Sequence, residues 1–214
     1  LKAPGCRGWI TMYNFPPNNW EETTVCSHNL NVTWTDGRYW NNKKINELEI
    51  GAAITIDSYE LESVVPDNCI PFMSLTRELL PERADILFSE RQPFTKIPAW
   101  RATIGLTSEF GTSTSYQGEV EPFKDPGSCL SFGLMVQPHR QIDNYLLFLN
   151  LETSPIKRNS SITIQDCRTK NILIKEHEVT SNSLSTICLN NLFDTNEQLA
   201  AIKCHDMSGI PFIF

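Results

Sequence analysis

Apolar residues in this chain come in short runs, and no run keeps the three-to-four residue spacing that a helix would need over several turns. Residues 9–13, 52–56, 101–106, 129–136, 145–151 and 161–165 are β-branched or alternating stretches of five to eight residues. Runs of that length and composition are strand signals. Between them stand turn formers: Asp36-Gly37, Asp125-Pro126-Gly127 and the polar stretch from Lys157 to Ser160. Thirteen prolines and ten glycines are scattered rather than clustered, which fits many turns and no long flexible linker. The best helix candidate is Ser74 to Leu80, with Ser74 as N-cap and Pro81 as its end. It is short.

Several landmarks recur in one order. An apolar strand closed by asparagine, residues 9–14, is matched by residues 145–150. A strand that runs into an aspartate turn, residues 32–38, is matched by residues 162–168. Charged strands follow, around 48–50 and 176–179, and then Ile54-Thr55-Ile56-Asp57 is matched by Ile187-Cys188-Leu189-Asn190. Ile70-Pro71-Phe72 and Ile210-Pro211-Phe212 close the series. A meander of this kind has one apolar face and must pack it on a second sheet. The expectation is an all-β, antiparallel β-sandwich protein of two units related by an internal repeat, spanning residues 1–92 and 93–214. The arrangement resembles immunoglobulin-like sandwich modules in general form, without the Cys…Trp…Cys signature of antibody domains.

The 214 residues carry a formal charge of −7, from 18 Lys+Arg against 25 Asp+Glu. Nucleic acid is therefore not an expected partner, since no surplus of cations is available to displace counterions from phosphates. No apolar run approaches the roughly 18 residues of a membrane helix. Leu1-Lys2-Ala3-Pro4-Gly5 lacks a signal-peptide pattern, which a mature chain would have lost. The seven cysteines form no C-x-x-C pair, which favours reduced thiols and a cytoplasmic setting. Secretion is the alternative, and the sequons Asn31-Val32-Thr33 and Asn159-Ser160-Ser161 point that way.

Catalytic patterns are weak. The four histidines are isolated, Cys204-His205-Asp206 are strand neighbours that alternate in direction, and no glycine-rich phosphate loop is present. No metal site, no cofactor and no catalytic residue is expected. Recognition has a better basis. Residues 107–119 form a Gly/Ser/Thr-rich stretch between two strands, and a polar loop on a rigid sheet is a common place for binding. Tyr116 and Gln117 would offer a ring and an amide, Glu119 and Arg101 opposite charges, with Trp100 beside them. Trp9 and Trp34 fall at apolar strand positions and are expected in the core. Trp20 and Trp40 sit among polar residues and are expected to be exposed, where an indole can stack on a sugar or on a protein. The function that follows is a non-catalytic binding module for a glycan or protein partner. A glycan-acting hydrolase and a structural module that forms homo-oligomers are the alternatives.

Overall fold

The computed structural model describes residues 4–15, 26–87, 102–111, 113–117, 127–134, 144–166, 169–190 and 199–213. The chain is all-β with antiparallel sheets, and it divides into two compact units, Leu1–Pro122 and Phe123–Phe214. The division falls later than residue 92. Thr103–Ser108 and Ser113–Gln117 pair onto the first strand of the chain, so they belong to the first unit rather than opening the second.

In the first unit, β1 (Cys6–Tyr13) lies between β4 (Ala53–Asp57) and β7 (Thr103–Ser108), and β8 (Ser113–Gln117) extends the sheet beyond β7. A second sheet has β2 (His28–Thr35) between β3 (Trp40–Leu48) and β5 (Phe72–Thr76), with the two-residue β6 (Arg83–Ala84) beyond β3. One apolar cluster draws on both sheets. Met12 and Ile56 come from the first, Leu30, Val32, Leu48 and Leu75 from the second. Each fully buried aliphatic side chain of this kind stabilises the fold by about 1.5–3 kcal/mol.

The helix lies elsewhere than Ser74–Leu80. Ser74 pairs with Asn31 inside the β2–β5 ladder, so the backbone there is already committed to strand. The described helix is α1 (Ser58–Glu62), started by Asp57, whose Oδ1 accepts from the N–H of Tyr59 at 2.8 Å and of Glu60 at 3.1 Å. Asp57 and Glu60 have the spacing of a capping box, a signal present in the sequence.

Trp40 corrects a second expectation: it is fully buried. The reason is a polar cover that local composition does not reveal. The segment after β5 laces across the second sheet, with Asn42 donating Nδ2–H to the Pro81 carbonyl at 2.8 Å and Asn29 to the Arg77 carbonyl at 3.0 Å. Trp40 sits opposite Ala84 and packs edge-on to Phe72, ring centroids 5.6 Å apart. Seven of the eight residues of β2 are consequently buried, polar and apolar alike. Asn31 is among them, donating to Thr76 Oγ1 at 2.8 Å, so a glycan there is incompatible with this fold, whereas Asn159 is exposed.

In the second unit, β10 (Tyr145–Leu151) lies between β13 (Ser183–Cys188) and the C-terminal half of β14 (Leu199–Ile213). The hairpin of β11 (Asn159–Asp166) and β12 (Ile172–Thr180) pairs with the N-terminal half of β14, which also receives β9 (Gly127–Leu134). Leu146, Phe148, Ile162, Ile164, Val179, Ile187, Leu189 and Ile202 form its core. The Ile-Pro-Phe landmarks do not correspond: Phe72 pairs with Thr33 of β2, whereas Pro211 and Phe212 pair with Phe148 and Leu147 of β10.

Burial of Trp40 sets a direct test. Trp40→Ala should lower stability by about 3–5 kcal/mol, while Phe110→Ala, at an 88% exposed position, should stay within about 0.5 kcal/mol of the parent. Urea unfolding of both variants checks this, and equal midpoints would show that Trp40 has no core role.

Candidate functional site

Alternation along β1 splits the strand cleanly. Gly8 and Met12 are buried and Ile10 packs against the core cluster, which assigns Arg7, Trp9, Thr11 and Tyr13 to the outer face of the sheet. Trp9 is thus not the core residue its apolar strand context implies. Trp34 does pack against the core, half-buried.

The rows across this face follow from register. Arg7 lies opposite Thr107, Trp9 opposite Asp57 on one side and Gly105 on the other, and Thr11 opposite Thr55 and Thr103. Gly105 has no side chain to obstruct the indole, and Trp9 Nε1–H reaches diagonally to β7 to donate to Thr107 Oγ1 at 3.1 Å. The hydroxyls of Thr11 and Thr55 are 2.8 Å apart, and those of Tyr13 and Thr103 are 3.4 Å apart. At one end Tyr13 stacks on the exposed Phe15, centroids 5.6 Å apart. At the other end Arg7 lies 3.5 Å from Asp57 Oδ2, with its guanidinium 4.3 Å from the centre of the Tyr59 ring. Asp57 therefore serves twice, as helix cap through Oδ1 and as partner of Arg7 through Oδ2. The ion pair is half-exposed and contributes less than about 1 kcal/mol, so its value is positional. With a rise of about 3.4 Å per residue, Arg7 to Tyr13 spans about 20 Å of sheet surface bearing rings and hydroxyls.

The stretch expected to be a binding loop, residues 107–119, is largely a hairpin. β7 turns at Glu109–Gly111, where Gly111 takes a φ of 84°, and returns as β8. Tyr116 stands opposite Ile104 and Gln117 opposite Thr103, in successive rows of the ladder. Only the Gln117 row continues the face described above. Trp20, Trp100, Arg101 and Glu119 lie outside the described residues. Trp40, being buried, is removed from the exposed aromatics. Sequence reasoning missed Arg7, Trp9, Thr11, Thr55 and Asp57: alternation places the first three on one face of β1, but only register brings Thr55 and Asp57, more than forty positions away, beside them.

Among the described residues no group of three or more His, Cys, Asp or Glu side chains converges as a metal site would require. The Cys6 thiol is pushed upward by burial and then by the Glu109 carboxylate, the opposite of what activates a nucleophile. Asp36 is held below the usual carboxylate range by the backbone N–H of Tyr39 at 2.9 Å and, after it, that of Arg38 at 2.8 Å, which fixes it as a turn residue. No helix among the described residues is long and apolar enough to cross a membrane. Comparison of the chain with family models, with curated proteins and with solved structures finds no significant match.

Burial pushes the pKa of His28 below its ordinary 6.5, and the charge of Arg77 acts in the same direction, against the hydrogen bond from Nδ1–H to the Cys26 carbonyl at 3.0 Å. As pH falls, the unfolded chain takes up this proton first. The stability that neutral His28 provides is therefore complete above about pH 6.5 and is lost as pH falls through the folded-state pKa. Melting temperatures measured from about pH 7.5 down to about pH 5 should drop in the parent and drop less in His28→Gln. Equal slopes would place the acid sensitivity elsewhere.

Proposed function

We propose that this protein is a non-catalytic binding module that takes a glycan on the outer face of the β4-β1-β7-β8 sheet. The observation that carries this reading is Trp9: an indole on the solvent side of the sheet, anchored to Thr107 across Gly105, with threonine hydroxyls in the adjoining row. A sugar ring has an apolar face and an equatorial rim of hydroxyls. An aromatic ring takes the first, and threonine hydroxyls, each both donor and acceptor, take the second. Ser115 and Gln117 extend the rows onto β8, opposite Gly105 and Thr103. Arg7 and Asp57 would mark one end of the ligand, and Tyr13 with Phe15 the other.

The finer architecture belongs to the same proposal: two β-sandwich units that arose as copies of one another. Matched pairings support it. β1 between β4 and β7 parallels β10 between β13 and the C-terminal half of β14, and the β2–β3 hairpin carried on β5 parallels β11–β12 carried on the N-terminal half of β14. The turn before β4 holds Gly51 at φ 75°, its N–H donating to the Asn14 carbonyl at 2.8 Å. The turn before β13 holds Asn182 at φ 52°, its N–H donating to the Asn150 carbonyl at 2.7 Å.

Titration of tryptophan fluorescence with a panel of neutral and acidic oligosaccharides tests the function. At least one class should bind, and Trp9→Ala should weaken that binding tenfold or more, as central aromatic contacts commonly do, by about 1.4 kcal/mol at least. Thr107→Val, which frees the indole without removing it, should cost a few-fold. A folded Trp9→Ala variant with parent affinity would sink the assignment of the face. Release of new reducing ends from a bound sugar would instead favour the hydrolase reading.

A further inference from the structure

We propose that Cys129 and Cys204 form a cross-strand disulfide that locks β9 onto β14. Register places the two residues directly opposite one another in an antiparallel pair, with Leu130 opposite Lys203 and Ser131 opposite Ile202 continuing the ladder. Directly opposed residues of such a pair share a face, and their Cα atoms lie about 4.5 Å or about 5.5 Å apart according to the hydrogen-bonding pattern. Both separations fall in the range that a disulfide spans without backbone movement.

The location gives the bond a task. β9 pairs with β14 and with no other strand among the described residues. Immediately past Cys204 the β9–β14 ladder breaks, resuming only at Met207 opposite Gly127. Beyond that break β14 leaves β11 and pairs with β10 instead. The cysteine pair thus sits at the last regular rung before the strand changes partners. On its other side Cys204 stands opposite Ile162, a fully buried core residue. Among the described residues, Cys6, Cys26, Cys69 and Cys188 form no disulfide with one another.

Formation is a thiol–disulfide exchange with a low-molecular-mass disulfide such as oxidised glutathione. One cysteine thiolate attacks the S–S bond of the oxidant, expelling one small thiol and forming a mixed disulfide. The second thiolate attacks the protein-bound sulfur and expels the other small thiol. Two protein thiols become one disulfide, one oxidant disulfide becomes two thiols, and the two protons from the cysteines leave with those thiols.

The full chain refolded in a glutathione buffer, denatured without reductant and alkylated, should carry label on five of its seven cysteines and weigh two hydrogens less than the fully reduced form. Protease digestion should give a peptide linking 129 to 204, and reduction should lower the melting temperature by roughly 5 °C or more. Cys129→Ser and Cys204→Ser should each abolish the linked peptide. Alkylation of both cysteines after oxidative refolding would overturn the proposal. A linked peptide joining either of them to a different cysteine would do the same.

Discussion

Where two antiparallel sheets close on one core, the carbonyls at the strand ends have no ladder to pair with, and burying them unpaired costs about 1–3 kcal/mol each. In the first unit one side chain resolves this. Asn14, buried at the end of β1, donates Nδ2–H to the Leu48 carbonyl at 2.9 Å and to the Cys26 carbonyl at 3.2 Å. Its own N–H donates to the Ala52 carbonyl at 2.9 Å, and its carbonyl accepts from Gly51. A strand of one sheet, the entry and exit of the other sheet's hairpin and the turn into β4 therefore all meet on one residue. His28, hydrogen-bonded to the same Cys26 carbonyl, is held in its neutral form by the same burial. In the second unit the work passes to Asn182, whose Oδ1 accepts from the Glu152 N–H at 2.9 Å and whose Nδ2–H donates to the Ser154 carbonyl at 2.8 Å. Asparagine suits the role because one amide both donates and accepts, and because it tolerates the left-handed backbone that Asn182 adopts.

The strands were readable from the sequence because burial on one face writes itself as alternation. All six expected runs lie in or overlap strands, and residues 145–151 match β10 end to end. The aspartate turns were readable for a similarly local reason. Asp36 closes its turn with its own carboxylate, and Asp166 binds the Thr169 hydroxyl at 2.9 Å while its carbonyl accepts from Lys170. What failed was anything decided by distant chain. Trp40 among Tyr39 and Asn41 reads as exposed, and only the return of residues 77–87 across the sheet buries it. Trp9 among Ile10 and Met12 reads as core, although strand alternation alone sets it on the face away from Met12. The two tryptophans exchanged places for one reason: local composition reports the average of both faces of a strand, and does not say which face is covered.

The same logic explains why the candidate site is a sheet face and not the polar stretch that drew attention. Residues 107–117 belong to the β7–β8 hairpin, in which β8 adds a strand beyond β7 on the side away from β1. Their contribution is to widen the surface around Trp9. A rigid, hydrogen-bonded sheet holds rings and hydroxyls at fixed spacing, so little conformational entropy is lost when a ligand docks. Arg7 and Tyr59 show how that spacing is kept: α1 begins where β4 ends, its cap is Asp57, and the cap carboxylate pins the arginine that lies over the tyrosine ring. One aspartate thereby couples the start of a helix to the outer face of the sheet.

On the duplication reading, the largest departure between the units is β14. The first unit uses two strands, β5 and β7, for the pairings that the second assigns to one fifteen-residue strand. Along its length β14 passes from β11, whose last rung is Cys204, to β10, whose first rung is Ser208. The ladder irregularity between Cys204 and Met207 falls in that interval. Extra residues at such a bulge sharpen the local twist, at the cost of locally missing hydrogen bonds. A covalent rung at Cys204 would fix the strand at the last regular rung before that irregularity. Pro211, which has no N–H to give, is accommodated on the far side because β14 there pairs with β10 alone among the described strands.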